Sequence, residues 1–214
     1  MYKLVLFDFD GTILDSDQMI VVTFKQLYGK YRPGYDPGLE HVLGFSGPPI
    51  RITLKNEFKD LDQDLMFDEF IKYSTVNYDK YVKAFPYVKS AFRKLKNAGI
   101  KYGMITSKAR GATNYALKLT GLDKYIEFSL CSDEVKNVKP DPEGIYKAMK
   151  YFGVSSKDEV LYVGDSIYDY ETALNAGVKF GYVTFSTRKL PKNCKIDVKI
   201  DSFKEFMEAI GYEK

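Results

Sequence analysis

The chain has 214 residues, which is enough for one good-sized domain or for a domain with a smaller insert. With 45% hydrophobic and 29% charged residues, its composition is ordinary for a globular protein. The formal net charge of +3 is too small to indicate nucleic-acid binding. No stretch approaches the roughly 18 uninterrupted apolar residues of a membrane span, so we expect neither nucleic acid nor a membrane as partner.

The N-terminus and the cysteines predict a cytoplasmic protein. The predicted first strand starts at residue 4, which leaves no room for a secretory signal. Cys131 and Cys194 have neither the spacing of a metal site nor that of a disulfide framework. Reduced thiols are typical of the cytosol.

The first predicted element is a buried strand over residues 4–7, and two carboxylates follow it directly. Asp8 and Asp10 stand between this apolar run and Gly11, where the backbone can turn tightly or approach a ligand closely. Ligands of α/β sheets bind at the carboxyl ends of strands. Because two buried like charges need compensation, we expect a hard divalent ion such as Mg²⁺ beside them.

The next block, from about residue 16 to about 84, has a helical pattern without a convincing strand. Ser16 or Asp17 is expected to cap a helix whose apolar residues recur with helical spacing. A passage rich in glycine and proline follows, and then come helices at about 50–58 and 65–82. We therefore predict a helical cap domain at 16–84 and a core domain formed by 1–15 and 85–214.

From residue 85 onward, predicted helices and strands alternate. The helices are at 88–98, 109–120, 143–152, 168–176 and 203–210, and the strands are at 101–105, 126–131, 160–163, 180–183 and 196–200. Such alternation predicts a parallel sheet with right-handed crossovers. The fold class is therefore α/β, with a helical insert after the first strand.

Polar clusters follow four of the predicted core strands and can converge on one crevice. Besides the two N-terminal acids, they are Thr106-Ser107-Lys108, Lys139-Pro140 and Gly164-Asp165-Ser166 with Asp169. In this order, the segments DFDGTILDS, MITSK, VKPDP and VGDSIYDYETALNAG resemble the four motifs of the haloacid dehalogenase superfamily of phosphotransferases. The branch that they resemble carries a helical cap after the first motif. This implies a Rossmann-like three-layer α/β/α core and a bound Mg²⁺.

The resemblance also implies a role for each acid of the first motif. Asp8 would be the nucleophile that forms an aspartyl-phosphate, and Asp10 would be the general acid and base. The metal would be held by Asp8, by the backbone carbonyl of Asp10 and by Asp165. Asp169 would orient a metal-bound water or bond Lys139.

The remaining motif residues would bind the phosphoryl group. Thr106 would donate its hydroxyl to a phosphoryl oxygen, and Lys139 would neutralise charge on that group and on the nucleophile. Further phosphate-binding groups are expected at Gly11, Thr12, Ser107 and Lys108. Thr106 is equally suited to cap the helix that follows it, and the two roles are compatible.

The cap sequence narrows the choice of activity. Asp10 argues against a dehalogenase, and no context singles out a cap lysine of the phosphonatase kind. Sugar-phosphate mutases share Gly-x-Ser in the cap, but here Gly44-Phe45-Ser46 lacks the arginine that follows in them, and Arg51 comes later. LGFSGPPI is more similar to the phosphoglycolate phosphatase and pyrophosphatase branch. Arg51 or Lys55 would touch an anionic substrate tail, or both are simply exposed.

The resulting prediction is a Mg²⁺-dependent phosphatase that hydrolyses a small, phosphoglycolate-like phosphomonoester. A sugar-phosphate mutase, a pyrophosphatase, a nucleotidase and a non-catalytic binder of phosphorylated ligands stay open as alternatives. The expected partner is a small phosphorylated metabolite, and the chain would be a monomer or a homodimer. His41, the one histidine, is expected to be exposed or structural.

Overall fold

A six-stranded parallel sheet organises the larger part of the chain. The computed structural model describes residues 1–212. In chain order, the eight strands of this part are β1 (Leu4–Phe7), β2 (Leu14–Asp15), β3 (Lys83–Ala84), β4 (Lys101–Ile105), β5 (Ser129–Leu130), β6 (Val160–Gly164), β7 (Lys179–Val183) and β8 (Val198–Ile200). The main sheet has the order β5-β4-β1-β6-β7-β8, with every neighbouring pair parallel.

Strand β1 lies at the centre of this sheet and is buried on both faces. Leu4 pairs in register with Lys101 of β4 and with Val160 of β6. The alternation of side chains along a strand sends Leu4 and Leu6 into one hydrophobic cluster and Val5 and Phe7 into the other. The four apolar residues of β1 therefore pack into the hydrophobic clusters on both faces of the sheet.

Helices cover both faces of the sheet. The α-helices are α1 (Asp17–Tyr31), α2 (Leu39–Leu43), α3 (Ile50–Glu57), α4 (Gln63–Tyr81), α5 (Val88–Asn97), α6 (Arg110–Thr120), α7 (Glu143–Phe152), α8 (Ile167–Ala176) and α9 (Phe206–Ala209). Helices α7 and α8 pack on the face of Leu4 and Leu6, whereas α5, α6 and α9 pack on the face of Val5 and Phe7. The predicted three-layer α/β/α core is confirmed.

The block of residues 17–81 contains the helices α1 to α4, in agreement with the helical pattern of its sequence. Helices α1 and α4 pack together through aromatic rings, with the Phe24 and Phe70 centroids 5.9 Å apart. Strands β2 and β3, which were not predicted, pair antiparallel and join the two chain segments that connect this block to the core. Two-residue strands are too short to show a periodicity, so the sequence pattern could not predict them.

Several element bounds differ from the sequence-based expectation. The predicted strand 126–131 is reduced to β5, and the predicted helix 203–210 is reduced to α9. The passage rich in glycine and proline contains the short helix α2. Cys131 and Cys194 are free thiols, and none of the helices within residues 1–212 is long and apolar enough to cross a membrane.

Candidate active site

Asp8 directly follows the last residue of β1, at the carboxyl end of this central strand. Its backbone N–H donates to the carbonyl of Val163 (2.8 Å), which continues the ladder to β6 by one residue. Gly11 then turns the chain with a φ of +85°, a conformation that glycine adopts without strain. A Cβ at this position would collide with the carboxylate of Asp165 and the guanidinium of Arg188. Glycine is therefore required here both for the turn and for close approach.

Lys139 connects two buried carboxylates. Its ammonium donates to Asp8 Oδ1 (2.5 Å) and to Asp169 Oδ1 (2.7 Å). Burial alone would lower the pKa of Lys139, but the carboxylates of Asp169 and Asp8 outweigh it and raise the pKa well above its usual value. The ammonium is therefore charged, and it contacts Asp8, the residue predicted to be the nucleophile.

Asp169 is oriented by the start of helix α8. Its Oδ2 accepts hydrogen bonds from the backbone N–H (3.1 Å) and the hydroxyl (2.6 Å) of Ser166, and Tyr162 donates to Oδ1 (3.2 Å). Although burial opposes ionisation, Lys139 and these hydrogen bonds hold the pKa of Asp169 below its usual value. By contrast, burial and the neighbouring charge of Asp169 raise the pKa of Asp8.

Asp165 lies on the other side of the cluster, and its partners were not all predicted. Its Oδ2 accepts hydrogen bonds from the hydroxyl of Ser186 (2.6 Å) and from the guanidinium of Arg188. Thr12, predicted to bind phosphate, points its buried hydroxyl to Asp165 Oδ1 (3.4 Å). Burial raises the pKa of Asp165, and the charge of Arg188 opposes that shift.

Three of these acids form a donor set that suits a divalent cation. One carboxylate oxygen each from Asp8, Asp165 and Asp169 lies within 4.8 Å of the others, and all three residues are buried. Hard oxygen donors in this number fit Mg²⁺, which binds proteins through few carboxylates and keeps several waters. The side chain of Asp10 does not belong to this set, so that residue would contribute its backbone carbonyl alone, as the resemblance implies.

The Asp10 carboxylate faces the cap instead. Its Oδ1 accepts a hydrogen bond from the hydroxyl of Ser16 (2.7 Å), and its Oδ2 lies 3.2 Å from the ammonium of Lys108. Of the two predicted capping residues, Ser16 occupies the N-cap position of helix α1 but makes no side-chain capping bond, and Asp17 is the first residue of the helix. The hydroxyl is bound to Asp10, which competes with the helix for it.

Thr106 and Ser107 follow β4 and form one wall of the site. Thr106 Oγ1 accepts from the backbone N–H of Lys108 (3.1 Å), so it stabilises the turn that enters the next helix. Ser107 Oγ is buried and has no hydrogen-bond partner among residues 1–212. A buried hydroxyl without a partner is costly, and a bound anionic ligand would satisfy it.

A cavity of about 260 Å³ separates these groups from the cap. Its core side consists of Asp8, Asp10 and the segment Thr106–Lys108, and its cap side is mostly apolar, with Met19, Ile20, Phe45, Phe67, Phe70 and Tyr78. Lys108 lies below Tyr78, its ammonium 5.2 Å from the ring centroid. The volume suits a small ligand.

Of the cap residues singled out in the sequence, some line the cavity and others do not. Arg51 lines this cavity, yet its side chain is 57% exposed, contacts Asp64 (3.1 Å) and lies over the ring of Phe67. Lys55 is exposed and does not line the cavity, and Gly44 lines a separate groove next to Tyr168. The exposed His41 contacts Glu57, away from the site, in agreement with the prediction for it.

Arg188 and Ser186 were missed by sequence reasoning. Both follow β7 at the same sheet edge as the four predicted clusters, so the rule that ligands bind at strand ends could have included them. Tyr78 was also missed, because a tyrosine inside a helical pattern gives no sign that it faces a cavity.

The fold and this arrangement of acids and lysine agree with the comparison to known families. A family model described as haloacid dehalogenase-like hydrolase matches residues 5–183. The chain therefore belongs to the haloacid dehalogenase-like hydrolases. A haloacid dehalogenase-like protein of Bacteroides fragilis, 26% identical, superposes with a TM-score of 0.85 over 96% of this chain and 100% of its own.

Two curated relatives carry names that are more specific than the name of the family. A protein of Caldanaerobacter subterraneus subsp. tengcongensis with the provisional name pyrophosphatase PpaX is 35% identical, covering 96% of this chain and 93% of the relative. The pyrophosphatase PpaX of Halalkalibacterium halodurans is 34% identical, covering 86% of this chain and 84% of the relative. The chain is thus a phosphatase of this family, similar over nearly its whole length to proteins named as pyrophosphatases.

Proposed function

We propose that this protein is a Mg²⁺-dependent phosphatase that hydrolyses a small phosphorylated metabolite through an aspartyl-phosphate on Asp8. The observation that carries this proposal is the different set of contacts made by each of the two acids of the first motif. Both acids line the cavity, but Asp8 belongs to the buried set of charges with Lys139 and two further acids, whereas the Asp10 carboxylate is bound by Ser16 and Lys108. A nucleophile and a proton donor with different partners are thereby held at one strand end, beside the same cavity.

The first half of the reaction transfers the phosphoryl group to the protein. A carboxylate oxygen of Asp8 forms a bond to phosphorus while the bond from phosphorus to the leaving oxygen breaks. Asp10, which faces the cavity, gives its proton to that oxygen. The hydrogen bond from Ser16 and the ammonium of Lys108 fix the orientation of the Asp10 carboxyl group.

The second half returns the protein to its starting state. Asp10 takes a proton from water, the water oxygen attacks phosphorus, and the bond to Asp8 breaks to release inorganic phosphate. Lys139 stays against Asp8 and offsets the negative charge that builds up on the phosphoryl oxygens. Mg²⁺, when bound by Asp8, Asp165 and the Asp10 carbonyl, supplies further positive charge to the same oxygens.

Two substrate classes are supported by different observations. Arg51 is a cap cation on the cavity wall, and it suits a small anionic tail such as the carboxylate of phosphoglycolate. Pyrophosphate is the second candidate, because the relatives described above carry the name pyrophosphatase. Its leaving phosphate would lie near Lys108, the cation next to Asp10.

The test is turnover of an aryl phosphate with a chromogenic leaving group, in the presence of Mg²⁺ or of a chelator. We expect turnover that requires Mg²⁺ and is abolished in Asp8→Asn. Asp123→Asn, which changes an exposed acid far from the site, is the matched control and should keep full activity. A panel that includes phosphoglycolate, pyrophosphate, nucleotides and sugar phosphates then ranks the substrates by kcat/KM.

Each alternative activity gives a different result in this panel. A mutase returns an isomeric sugar phosphate and releases little inorganic phosphate, and a nucleotidase prefers nucleoside monophosphates. A binding protein shows phosphate-dependent stabilisation without turnover. Absence of turnover on every compound would contradict the proposed function.

A further inference from the structure

Arg188 is a buried cation that neither the catalytic scheme nor the sequence motifs use. Its side chain is 9% exposed and lies between two acids. One guanidinium nitrogen, Nη2, donates to Asp17 Oδ1 (2.7 Å), and the other, Nη1, donates to Asp165 Oδ2. Arg188 therefore links the proposed metal site to the first residue of helix α1, at the base of the cap.

The segment around Arg188 reinforces both ends of this link. Thr187 donates its hydroxyl to Asp17 Oδ2 (2.6 Å), and Ser186 donates its hydroxyl to Asp165 Oδ2 (2.6 Å). Three consecutive residues after β7 thus bind the same two carboxylates. Such a set of contacts is a built arrangement and not the chance position of one long side chain.

Arg188 does not bind substrate in this arrangement. It is absent from the lining of the cavity above Asp8 and lines a groove on the other side of the site, next to Tyr168. Its role must therefore be sought in the carboxylates that it contacts. The important one is Asp165, because it is also a predicted metal ligand.

Asp165 needs a positive partner whether or not a metal is bound. The residue is 1% exposed, and a buried carboxylate without a compensating charge is costly. Arg188 provides that charge, but the guanidinium bonds Oδ2, one of only two oxygens that Asp165 can offer to a cation. A guanidinium and a divalent cation that share a carboxylate also repel each other.

We propose that Arg188 is a positioning residue which holds the Asp165 carboxylate in place before a divalent cation binds and competes with that cation for it. The guanidinium withdraws from Asp165 when the cation binds and keeps its contact with Asp17. Arg188 thereby preserves the donor set at the expense of metal affinity. This inference rests on the metal site of the proposed function.

The test measures Mg²⁺ binding directly, by titration calorimetry on the protein without substrate. Arg188→Met removes the competing charge at similar length, and we expect its Kd for Mg²⁺ to fall roughly tenfold, the size of one lost charge-assisted hydrogen bond. Lys189→Met, which removes the same charge from the exposed neighbouring residue, should leave the Kd within about twofold. Arg188→Lys keeps the charge and should lie between the wild type and Arg188→Met.

Thermal unfolding gives a second readout that does not depend on activity. Without metal, Arg188→Met should unfold at a lower temperature than the wild type, because Asp165 and Asp17 lose their cation. Saturating Mg²⁺ should raise its Tm by more than it raises that of the wild type. A purely structural role would lower the Tm without tightening metal binding.

The outcomes separate the inference from the function on which it rests. An unchanged or higher Kd in both Arg188 variants, or an equal Mg²⁺-induced rise in Tm, overturns the competition. If the wild type binds Mg²⁺ no better than Asp165→Asn does, the proposed metal site itself is wrong.

Discussion

Lys139 and Asp8 form a buried ion pair at the centre of the site, with Nζ 2.5 Å from Oδ1 and side chains 6% and 8% exposed. They are 131 residues apart in the sequence. Asp8 directly follows the central strand β1, whereas Lys139 lies in the loop between β5 and helix α7. The pair places a permanent positive charge against the group that we propose to attack phosphorus. Its removal should therefore affect both stability and catalysis.

The first prediction concerns Lys139→Met. Without the ammonium, Asp8 and Asp169 are left as buried acids without their partner, and we expect a loss of about 3–5 kcal/mol in the free energy of unfolding. The loss of transition-state stabilisation should lower kcat about 10²–10³-fold. Urea unfolding and steady-state kinetics measure the two effects. Lys136→Met, an exposed lysine near the same loop, serves as the control, and equal behaviour of the two variants would contradict the role of Lys139.

The second prediction concerns Asp10→Asn. Its amide cannot deprotonate water, so turnover should fall about 10²–10⁴-fold. An aryl phosphate has a good leaving group and needs less acid catalysis, so the phosphoenzyme should form faster than it is hydrolysed. Rapid-mixing experiments should then show a burst of aryl alcohol close to one equivalent of enzyme. A variant that turns over at the wild-type rate would show that Asp10 does not move the proton.

The third prediction uses Arg51 and Lys55, which lie on the same cap helix. Arg51→Ala should lower kcat/KM for phosphoglycolate about fivefold, which is the value of an exposed ion pair. It should leave kcat/KM unchanged for a phosphomonoester whose leaving group carries no charge. Lys55→Ala is the matched control, because Lys55 is exposed and does not line the cavity. Equal kcat/KM of Arg51→Ala on both compounds, relative to the wild type, would rule out contact with an anionic tail.

The fourth prediction is a pH dependence at Glu143, which ties the loop before Lys139 to helix α7. Hydrogen bonds from Lys147 and from the backbone N–H groups of Lys136 and Asn137 lower the pKa of Glu143 from 4.5 to about 2. Because the folded-state pKa is the lower one, the stabilisation is present above pH 4.5 and is lost as the pH falls towards 2. Urea unfolding should show a difference in stability between wild type and Glu143→Gln that is full at pH 7 and markedly smaller, but not yet lost, at pH 3. A difference that does not change with pH would contradict this role.

The sequence predicts the sheet edge well, because three of the four motifs directly follow a strand of the main sheet. Asp8 and Asp165 directly follow the neighbouring parallel strands β1 and β6, and this order is sufficient to bring them together. Lys139 was expected to follow a strand in the same way, but β5 ends at Leu130 and the lysine lies in the loop beyond it. The strong hydrophobic signal of β1 and β6 made these strands easy to locate. The position of these strand-end residues depends on the sheet topology, and the alternation of helices and strands in the sequence predicts that topology.

Side-chain pairings were harder to predict, because they depend on packing between distant segments. Arg188 contacts Asp17, which is 171 residues away, and no pattern around either residue connects the two. The hydroxyl of Ser16, the N-cap residue of helix α1, bonds the carboxylate of Asp10 and not the helix, and no pattern in the sequence predicts that pairing. The β2–β3 pair was missed for a different reason, since two residues carry no periodicity.

The most direct test of the central claim is to identify the phosphorylated residue during turnover. Enzyme mixed with substrate and Mg²⁺ is quenched in acid within milliseconds, digested and examined by mass spectrometry, with Asp10→Asn used to accumulate the intermediate. We predict one phosphate on the peptide that contains Asp8, stable in acid but released by alkali and by hydroxylamine as expected for an acyl phosphate, and none in Asp8→Asn. Phosphate on another residue, or turnover that continues in Asp8→Asn, would contradict the mechanism.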